Sequence, residues 1–341
     1  MVCPSGWRCS AISSVSIPFS VWWLRLNPSL FQTRFIINTG KGGVGKTTIS
    51  AAIALAYARR GRRVLHMQLG ARDRLGPAFG LEPIGPDMVS ITPNVTAVNT
   101  TGRDAMREYA LMILKVKALY RAVFENRLVD RFLRIVPGLP ELTMLGKAYH
   151  HERERTDSGL PRWDAIILDA PATGHGMFLL QIPQVITTAL GSGHMASEAQ
   201  HMLELLEDPA RTCINLITLA EDMPVNETIE LHARLQEHFR IRTGYVIANG
   251  IFPRALTGQE RELASDLERM RSSDAEVDRL LRTGLFREKR CDLQRSALER
   301  LQRMDVPVLE VPFLFEPDAG RPLLEKVAVH IAQSVERLER Q

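Results

Sequence analysis

One stretch, residues 35–50, most constrains the fold of this 341-residue chain, because it joins an apolar run to a glycine-rich loop and a helix-forming segment. The apolar run is Phe35-Ile36-Ile37. The loop and helix start read Gly40-Lys41-Gly42-Gly43-Val44-Gly45-Lys46-Thr47-Thr48, which fits the spacing G-x-x-x-x-G-K-[ST]. Glycines let backbone N–H groups point inward, and the N–H groups at a helix N-terminus attract anions. The pattern therefore predicts a phosphate-binding loop between a β-strand and an α-helix.

Two side chains of this loop are expected to contact a nucleotide directly. Lys46 should reach the β- and γ-phosphates, and the Thr47 hydroxyl should ligate Mg²⁺. A glycine-rich turn that binds nothing is the alternative. The agreement of strand, loop, Lys-Thr-Thr and helix favours the nucleotide site, so ATP and Mg²⁺ are the predicted cofactors.

Composition is that of a soluble globular protein, with 45% hydrophobic and 24% charged residues. The net charge of +4 argues neither for nor against nucleic acid. Mixed charges in residues 252–302 favour a solvated surface, so no nucleic-acid partner is expected. The four cysteines are scattered, without a C-x-x-C pair, which predicts a reducing, cytoplasmic setting. The chain contains no run of about 18 apolar residues, so no membrane span is predicted.

The order of segments predicts the architecture. Strand-like and helix-like segments alternate, which is typical of an α/β protein with a mostly parallel β-sheet covered by helices on both faces. We expect a P-loop NTPase domain over residues 34–341, with helical insertions at about 100–160 and 255–300. Residues 1–33 precede the first strand and are expected to be an extension, disordered or the product of a misassigned start.

A second apolar strand, Ala165-Ile166-Ile167-Leu168-Asp169, ends in a carboxylate. This is the expected form of a second strand at the phosphate site, so Asp169 is expected close to Mg²⁺ or its water ligands. Ala170-Pro171-Ala172-Thr173-Gly174-His175 follows. A glycine in such a loop can turn its N–H toward the γ-phosphate, and Gly174 is the candidate.

The pair of motifs, KGGVGKTT and DAPATGH, resembles the family of the arsenite-pump ATPase and the tail-anchored-protein targeting ATPase, which carry a deviant form of the phosphate loop. The resemblance covers about residues 34–341. It implies a dimer, homodimer or heterodimer with a relative of the arsenite-pump type, in which Lys41 reaches across the two-fold interface to the partner's nucleotide. The implied activity is ATP hydrolysis, with Lys41, Lys46 and Asp169 as catalytic residues.

The same resemblance assigns three further positions to the nucleotide. Glu221 occupies the position that contacts the partner subunit's nucleotide in relatives, although its acid could also simply favour a helix N-terminus. Asn249, at the end of a strand, would recognise adenine, because an amide offers both a donor and an acceptor. Pro312 begins the loop that brackets the adenine.

The resemblance also implies a helical surface that engages a membrane-protein client or a membrane transporter. Methionines between residues 104 and 117 could line a soft groove for a client helix. Packing against the sheet is the favoured alternative for them. Residues 132–141 resemble a segment of bacterial relatives of the arsenite-pump ATPase.

One position departs from the family pattern. The aspartate that positions the attacking water falls on Gly70, which has no side chain for that task. Asp73 could substitute for it, but a solvated loop residue is the favoured interpretation. Two hypotheses follow: an active ATPase in which another group places the water, or a hydrolysis-deficient regulatory subunit that pairs with an active relative.

Overall fold

The computed structural model describes residues 29–70, 72–114, 138–239, 241–270, 275–316 and 320–340. Residues 1–28 of the expected N-terminal extension and residues 115–137 of the first expected insertion lie outside the described residues. Within the described part of the extension, Leu30–Gln32 form a short 3-10 helix that Ser29 caps.

The described strands form one eight-stranded sheet with the order β3-β4-β2-β5-β1-β6-β7-β8. The bounds are β1 Phe35–Thr39, β2 Val64–Leu69, β3 Val89–Thr92, β4 Val95–Thr100, β5 Ala165–Asp169, β6 Thr212–Leu219, β7 Thr243–Ile251 and β8 Val308–Pro312. All neighbouring strands run parallel except β3, which pairs antiparallel with β4 at one edge. The predicted α/β class with a mostly parallel sheet is confirmed.

Ten α-helices are present among the described residues. Their bounds are α1 Lys46–Ala58, α2 Leu75–Ala78, α3 Gly102–Leu114, α4 Leu139–Arg153, α5 Thr173–Leu190, α6 His194–Glu207, α7 Asp222–His238, α8 Gly258–Met270, α9 Ala275–Leu301 and α10 Arg321–Arg340. Helices α3 and α4 fall within the first expected insertion, and α8 and α9 within the second. In the described part of the chain, no helix has the length and apolar character needed to cross a membrane.

Successive side chains of the central strands point to opposite faces of the sheet, so a hydrophobic core forms on each face. Phe35 and Ile37 of β1 belong to one buried cluster, whereas Ile36, between them, belongs to the other. The second cluster includes most of α1, whose small side chains allow α10 to pack closely on it. Because both faces are covered, the strands are almost continuously apolar, as parallel sheets require.

The crossover connections bring the carboxyl ends of β1, β5 and β6 together at the centre of the sheet. Strand β1 lies between β5 and β6, and Asn38 is in register with both Asp169 and Asn215. The buried Asn38 amide donates to the Ser50 hydroxyl of α1 at 2.9 Å and accepts from the Asn215 amide at 3.0 Å. These hydrogen bonds satisfy the buried polar groups and hold α1 in register with the strand ends.

Candidate nucleotide-binding site

The phosphate loop connects β1 to α1 in a conformation that depends on its glycines. Gly43 and Gly45 have φ values of 87° and 90°, in the left-handed region that favours glycine. A Cβ at Gly40 would collide with the carbonyl oxygen of Ile217, and one at Gly45 would collide with the side-chain amide of Asn249. The loop therefore lies tight against β6 and β7, and α1 begins at Lys46 directly after it.

Lys46 extends back along the loop. Its ammonium group donates to the carbonyl oxygen of Lys41 at 3.0 Å. Burial lowers the pKa of Lys46, the charge of Asp169 counteracts this effect, and the positive charge of Arg74 lowers the pKa further. The lysine is thus held over the loop in a partly dehydrated position, where a phosphate would stabilise its charged form.

Thr47 and Asp169 form the acidic side of the site. The Thr47 hydroxyl donates to Oδ2 of Asp169 at 2.6 Å, which joins the first turn of α1 to the end of β5. Burial raises the pKa of Asp169 to about 6, although the hydrogen bond from Thr47 and the charges of Lys46 and Arg74 oppose the change. Its second oxygen, Oδ1, is buried without a hydrogen-bond partner among the described residues.

These two side chains fit a Mg²⁺ ion. A hydroxyl and a carboxylate are the hard oxygen donors that Mg²⁺ prefers, and an unpartnered buried carboxylate oxygen is costly without a cation. With a pKa of about 6, Asp169 is ionised at neutral pH although burial disfavours its charged form, so a bound cation would stabilise the carboxylate.

The loop, Lys46 and Asp169 border one cavity of about 630 Å³. That volume lies in the range of small-molecule sites. Its lining consists of Gly42, Gly43, Gly45, Lys46, Thr47, Thr48, Gln68, Leu69, Gly70, Arg72, Arg74, Ala78, Asp169, Ala170, Pro171 and Ala172. Most of the residues predicted from the two motifs therefore converge on a single concave surface.

Lys41 points away from that cavity, toward α7. Its ammonium group forms an ion pair with Oε1 of Glu227 at 2.6 Å, with both side chains about one third exposed. The expectation that this lysine reaches the nucleotide of a partner subunit stays a prediction.

Glu221, Asn249 and Pro312 do not line the cavity. Glu221 directly precedes α7 and lies 3.4 Å from Arg290, with about half of its side chain exposed. Asn249 donates from its amide to the Val44 carbonyl oxygen at 3.0 Å, so it supports the phosphate loop. Pro312 ends β8. The roles predicted for these three residues stay predictions.

Gly174 falls in the first turn of α5, close behind the strand that ends in Asp169. The side chains of residues 173–175 lie outside the described set, so the role predicted for this glycine stays a prediction. Nearby, Gly176 packs so closely on the Thr39 side chain that a Cβ there would require Thr39 to move. The start of α5 is therefore pressed against the end of β1.

The loop after β2 differs from the sequence-based expectation at Asp73. Rather than a solvated loop residue, Asp73 is half-buried, and its carboxylate accepts from the backbone N–H groups of Leu75 at 2.8 Å and Ile84 at 2.7 Å. It also accepts from Gly76. A carboxylate with these partners fixes the start of α2 and does not face the cavity.

Gly70 does face the cavity, and its surroundings are open. Among the described residues, chain neighbours aside, no atom lies within 4 Å of the position that a Cβ would take, and the φ of Gly70 lies outside the left-handed region. Glycine is therefore not required by the backbone or by packing at this position.

Three polar lining residues were missed by the sequence analysis: Gln68, Arg72 and Arg74. The rule that carboxyl ends of parallel strands meet at the same sheet edge could have found them, because they directly follow or end β2. The positive charge of Arg74 in particular lowers the pKa of both Lys46 and Asp169.

A glycine-rich loop between a central parallel strand and a helix, with a lysine, a threonine and a facing aspartate, defines a nucleotide-binding protein of the phosphate-loop class. The family described as anion-transporting ATPase matches residues 33–193 and 192–277. The chain belongs to this family.

Curated relatives agree with the assignment. The ATPase BagA of Mycobacterium tuberculosis is 29% identical over 312 residues, covering 86% of this chain and 90% of that protein. An arsenical pump-driving ATPase of Acidiphilium multivorum is 30% identical over 243 residues, covering 65% of this chain and 40% of that protein. One from Escherichia coli is 27% identical over 252 residues, covering 69% and 42%. The chain thus aligns with less than half the length of the pump ATPases.

Proposed function

We propose that this protein binds Mg·ATP and couples its binding, and its hydrolysis, to a client or membrane partner. The observation that carries the proposal is the convergence of the phosphate loop, Lys46, Thr47 and Asp169 on one cavity. Membership of a family of ATPases supports the same activity.

Each group in the cavity has a defined task in this proposal. Backbone N–H groups of the loop, held inward by Gly43 and Gly45, bind the phosphate oxygens. Lys46 exchanges its contact with the Lys41 carbonyl oxygen for the β- and γ-phosphates. Thr47 and Asp169 would hold Mg²⁺, which neutralises phosphate charge when it is bound.

The active form in this proposal is a cytoplasmic dimer. Lys41 would leave Glu227 to stabilise charge on the γ-phosphate of the partner subunit's nucleotide. Glu221, Asn249 and Pro312 would contact nucleotide only when a second subunit and the base are in place. The client would be a membrane protein or a membrane transporter, and affinity capture with a non-hydrolysable ATP analogue would identify it.

Gly70 supports a second candidate function, a hydrolysis-deficient nucleotide-binding subunit that pairs with an active relative. No carboxylate faces the cavity from position 70, and Asp73 is held by backbone N–H groups. Water would then have to be placed by another group or by the paired subunit.

The deciding experiment measures ATP binding and ATP turnover of the wild type, Lys46→Ala and Gly70→Asp. The open space around Gly70 admits the aspartate without displacing a neighbour. Wild-type turnover that Lys46→Ala abolishes would support the ATPase and exclude the deficient subunit. Turnover that appears only in Gly70→Asp, by a factor on the order of 10² or more, would support the deficient subunit. Absence of nucleotide binding by the wild type would refute both.

A further inference from the structure

The segment that follows β2 places two guanidinium groups on the cavity. Arg72 and Arg74 both line it, as does Gly70, the position at which the family resemblance expects a carboxylate. Both residues are exposed to solvent. In the described part of the chain neither guanidinium takes part in an ion pair or a hydrogen bond. These cations therefore face the open site without a direct ion-pair partner among the described residues.

Hydrogen bonds support the backbone of residues 72–74, which carries them. The Gln68 side chain donates to the Arg72 carbonyl oxygen at 2.7 Å and accepts from the Arg74 backbone N–H at 2.9 Å. Asp73 ties the same segment to the start of α2 and to Ile84. Arg74 thus begins from a fixed backbone position, which reduces the entropy lost when its side chain binds a ligand.

Charge distinguishes Arg74 from its neighbour. The positive charge of Arg74 lowers the pKa of Lys46 and the pKa of Asp169, the two charged groups that face the phosphate end of the cavity. Arg72 contributes to neither shift. Among the described residues, the cavity lining therefore holds the positive charges of Lys46, Arg72 and Arg74 and one carboxylate, that of Asp169. An anion of high charge would relieve the repulsion between Lys46 and Arg74.

We propose that Arg74 is a ligand of the terminal phosphate of a nucleoside triphosphate, and that it makes the site prefer a triphosphate over a diphosphate. The inference rests on the proposed function, because it requires that a nucleotide occupies this cavity. A guanidinium suits the task, since it binds two phosphate oxygens at once in a fixed fork. No covalent bond is formed or broken by this residue, which acts as a binding and specificity group.

The consequence is a site that senses the γ-phosphate with a cation four residues after Gly70, the position where relatives of the resembled family carry a water-positioning acid. A cation there strengthens binding of the triphosphate without activating water. The preference for triphosphate would therefore exist whether or not the chain hydrolyses ATP.

The test measures dissociation constants of a non-hydrolysable ATP analogue and of ADP, each with Mg²⁺, by titration calorimetry. Arg74→Gln removes the charge and keeps most of the side-chain length, and Arg74→Lys retains the charge without the fork. Arg72→Gln removes the same charge from the same segment. Arg337→Gln, in the last turns of α10 and exposed, is the distant control.

The wild type should prefer the triphosphate, and Arg74→Gln should reduce that preference on the order of tenfold, mostly through weaker analogue binding. Arg74→Lys should restore part of it, Arg72→Gln should change it less, and Arg337→Gln should leave it unchanged. An unaltered ratio in Arg74→Gln, or an equal loss in Arg72→Gln, would overturn the assignment to Arg74. If the wild type binds neither nucleotide, the proposed function itself fails, which separates the two outcomes.

Discussion

His66 provides the most quantitative test of the fold that supports the site. It lies in the middle of β2, paired with Ala97 of β4 and Ile167 of β5, and its side chain is fully buried. Neither ring nitrogen has a hydrogen-bond partner among the described residues. Burial lowers the pKa of His66 from an ordinary value of 6.5 to about 3.

The direction of the effect on stability follows from proton binding. Between pH 6.5 and pH 3 the unfolded chain binds a proton at this histidine and the folded chain does not, so acid favours unfolding. Stability from the neutral ring is complete above pH 6.5 and is lost as the pH falls. At about 1.4 kcal/mol per pH unit, the wild type loses roughly 3 kcal/mol between neutral pH and about pH 4 through this residue alone.

Replacing the imidazole with an apolar side chain should remove this loss. His66→Leu also removes two unsatisfied ring nitrogens, so it should be as stable as the wild type at neutral pH, or more stable. Urea unfolding followed by circular dichroism at about pH 7.5, 5 and 4 measures the difference in the free energy of unfolding. His201→Gln, at an exposed position of α6, serves as the control.

The expected result is an advantage of His66→Leu that grows to roughly 3 kcal/mol at the lowest pH, while His201→Gln follows the wild type. His66→Gln, which is also uncharged, should show the same pH dependence even if its packing lowers stability at every pH. An advantage that stays constant with pH in both variants would refute the reasoning.

Two further predictions concern the phosphate loop. Gly45→Ala should lower the free energy of unfolding by at least about 1 kcal/mol more than Gly61→Ala. Both glycines have positive φ, but only a Cβ at position 45 would also displace Asn249. Urea unfolding compares the two variants, and equal losses would contradict the packing argument. Glu227→Gln should release Lys41 and strengthen nucleotide-dependent dimerisation up to about fivefold, because an ion pair about one third exposed contributes up to about 1 kcal/mol. Sedimentation velocity with a non-hydrolysable ATP analogue measures the dimerisation, and weaker dimerisation would show that Glu227 does not restrain the lysine.

Local sequence patterns predicted those parts of the structure that depend on residues close together in the sequence. The strand, glycine loop and helix of residues 35–50 are contiguous, so spacing alone located the phosphate loop and Lys46. The apolar run that ends at Asp169 likewise predicted a strand, and β5 spans those residues. Both predictions depend on periodicity and on the parallel arrangement of short strands.

Contacts between distant segments could not be predicted in this way. Strand β3 is short and half exposed, so it lacks the apolar run that indicated its neighbours. Asp73 resembles a solvated loop residue until the fold brings Ile84 within reach of its carboxylate. The hydrogen bond between Asn249 and the Val44 carbonyl oxygen joins residues that are more than 200 positions apart.

Gln68 and Asp73 support residues 72–74 through hydrogen bonds that do not depend on the side chain at position 70. Neither support contacts the position of a side chain at Gly70, which is open. An acid can therefore be gained or lost there while both arginines keep their places. We expect duplicated copies of such a gene to diverge into a catalytic and a sensing member through one residue, without rebuilding the fold around it.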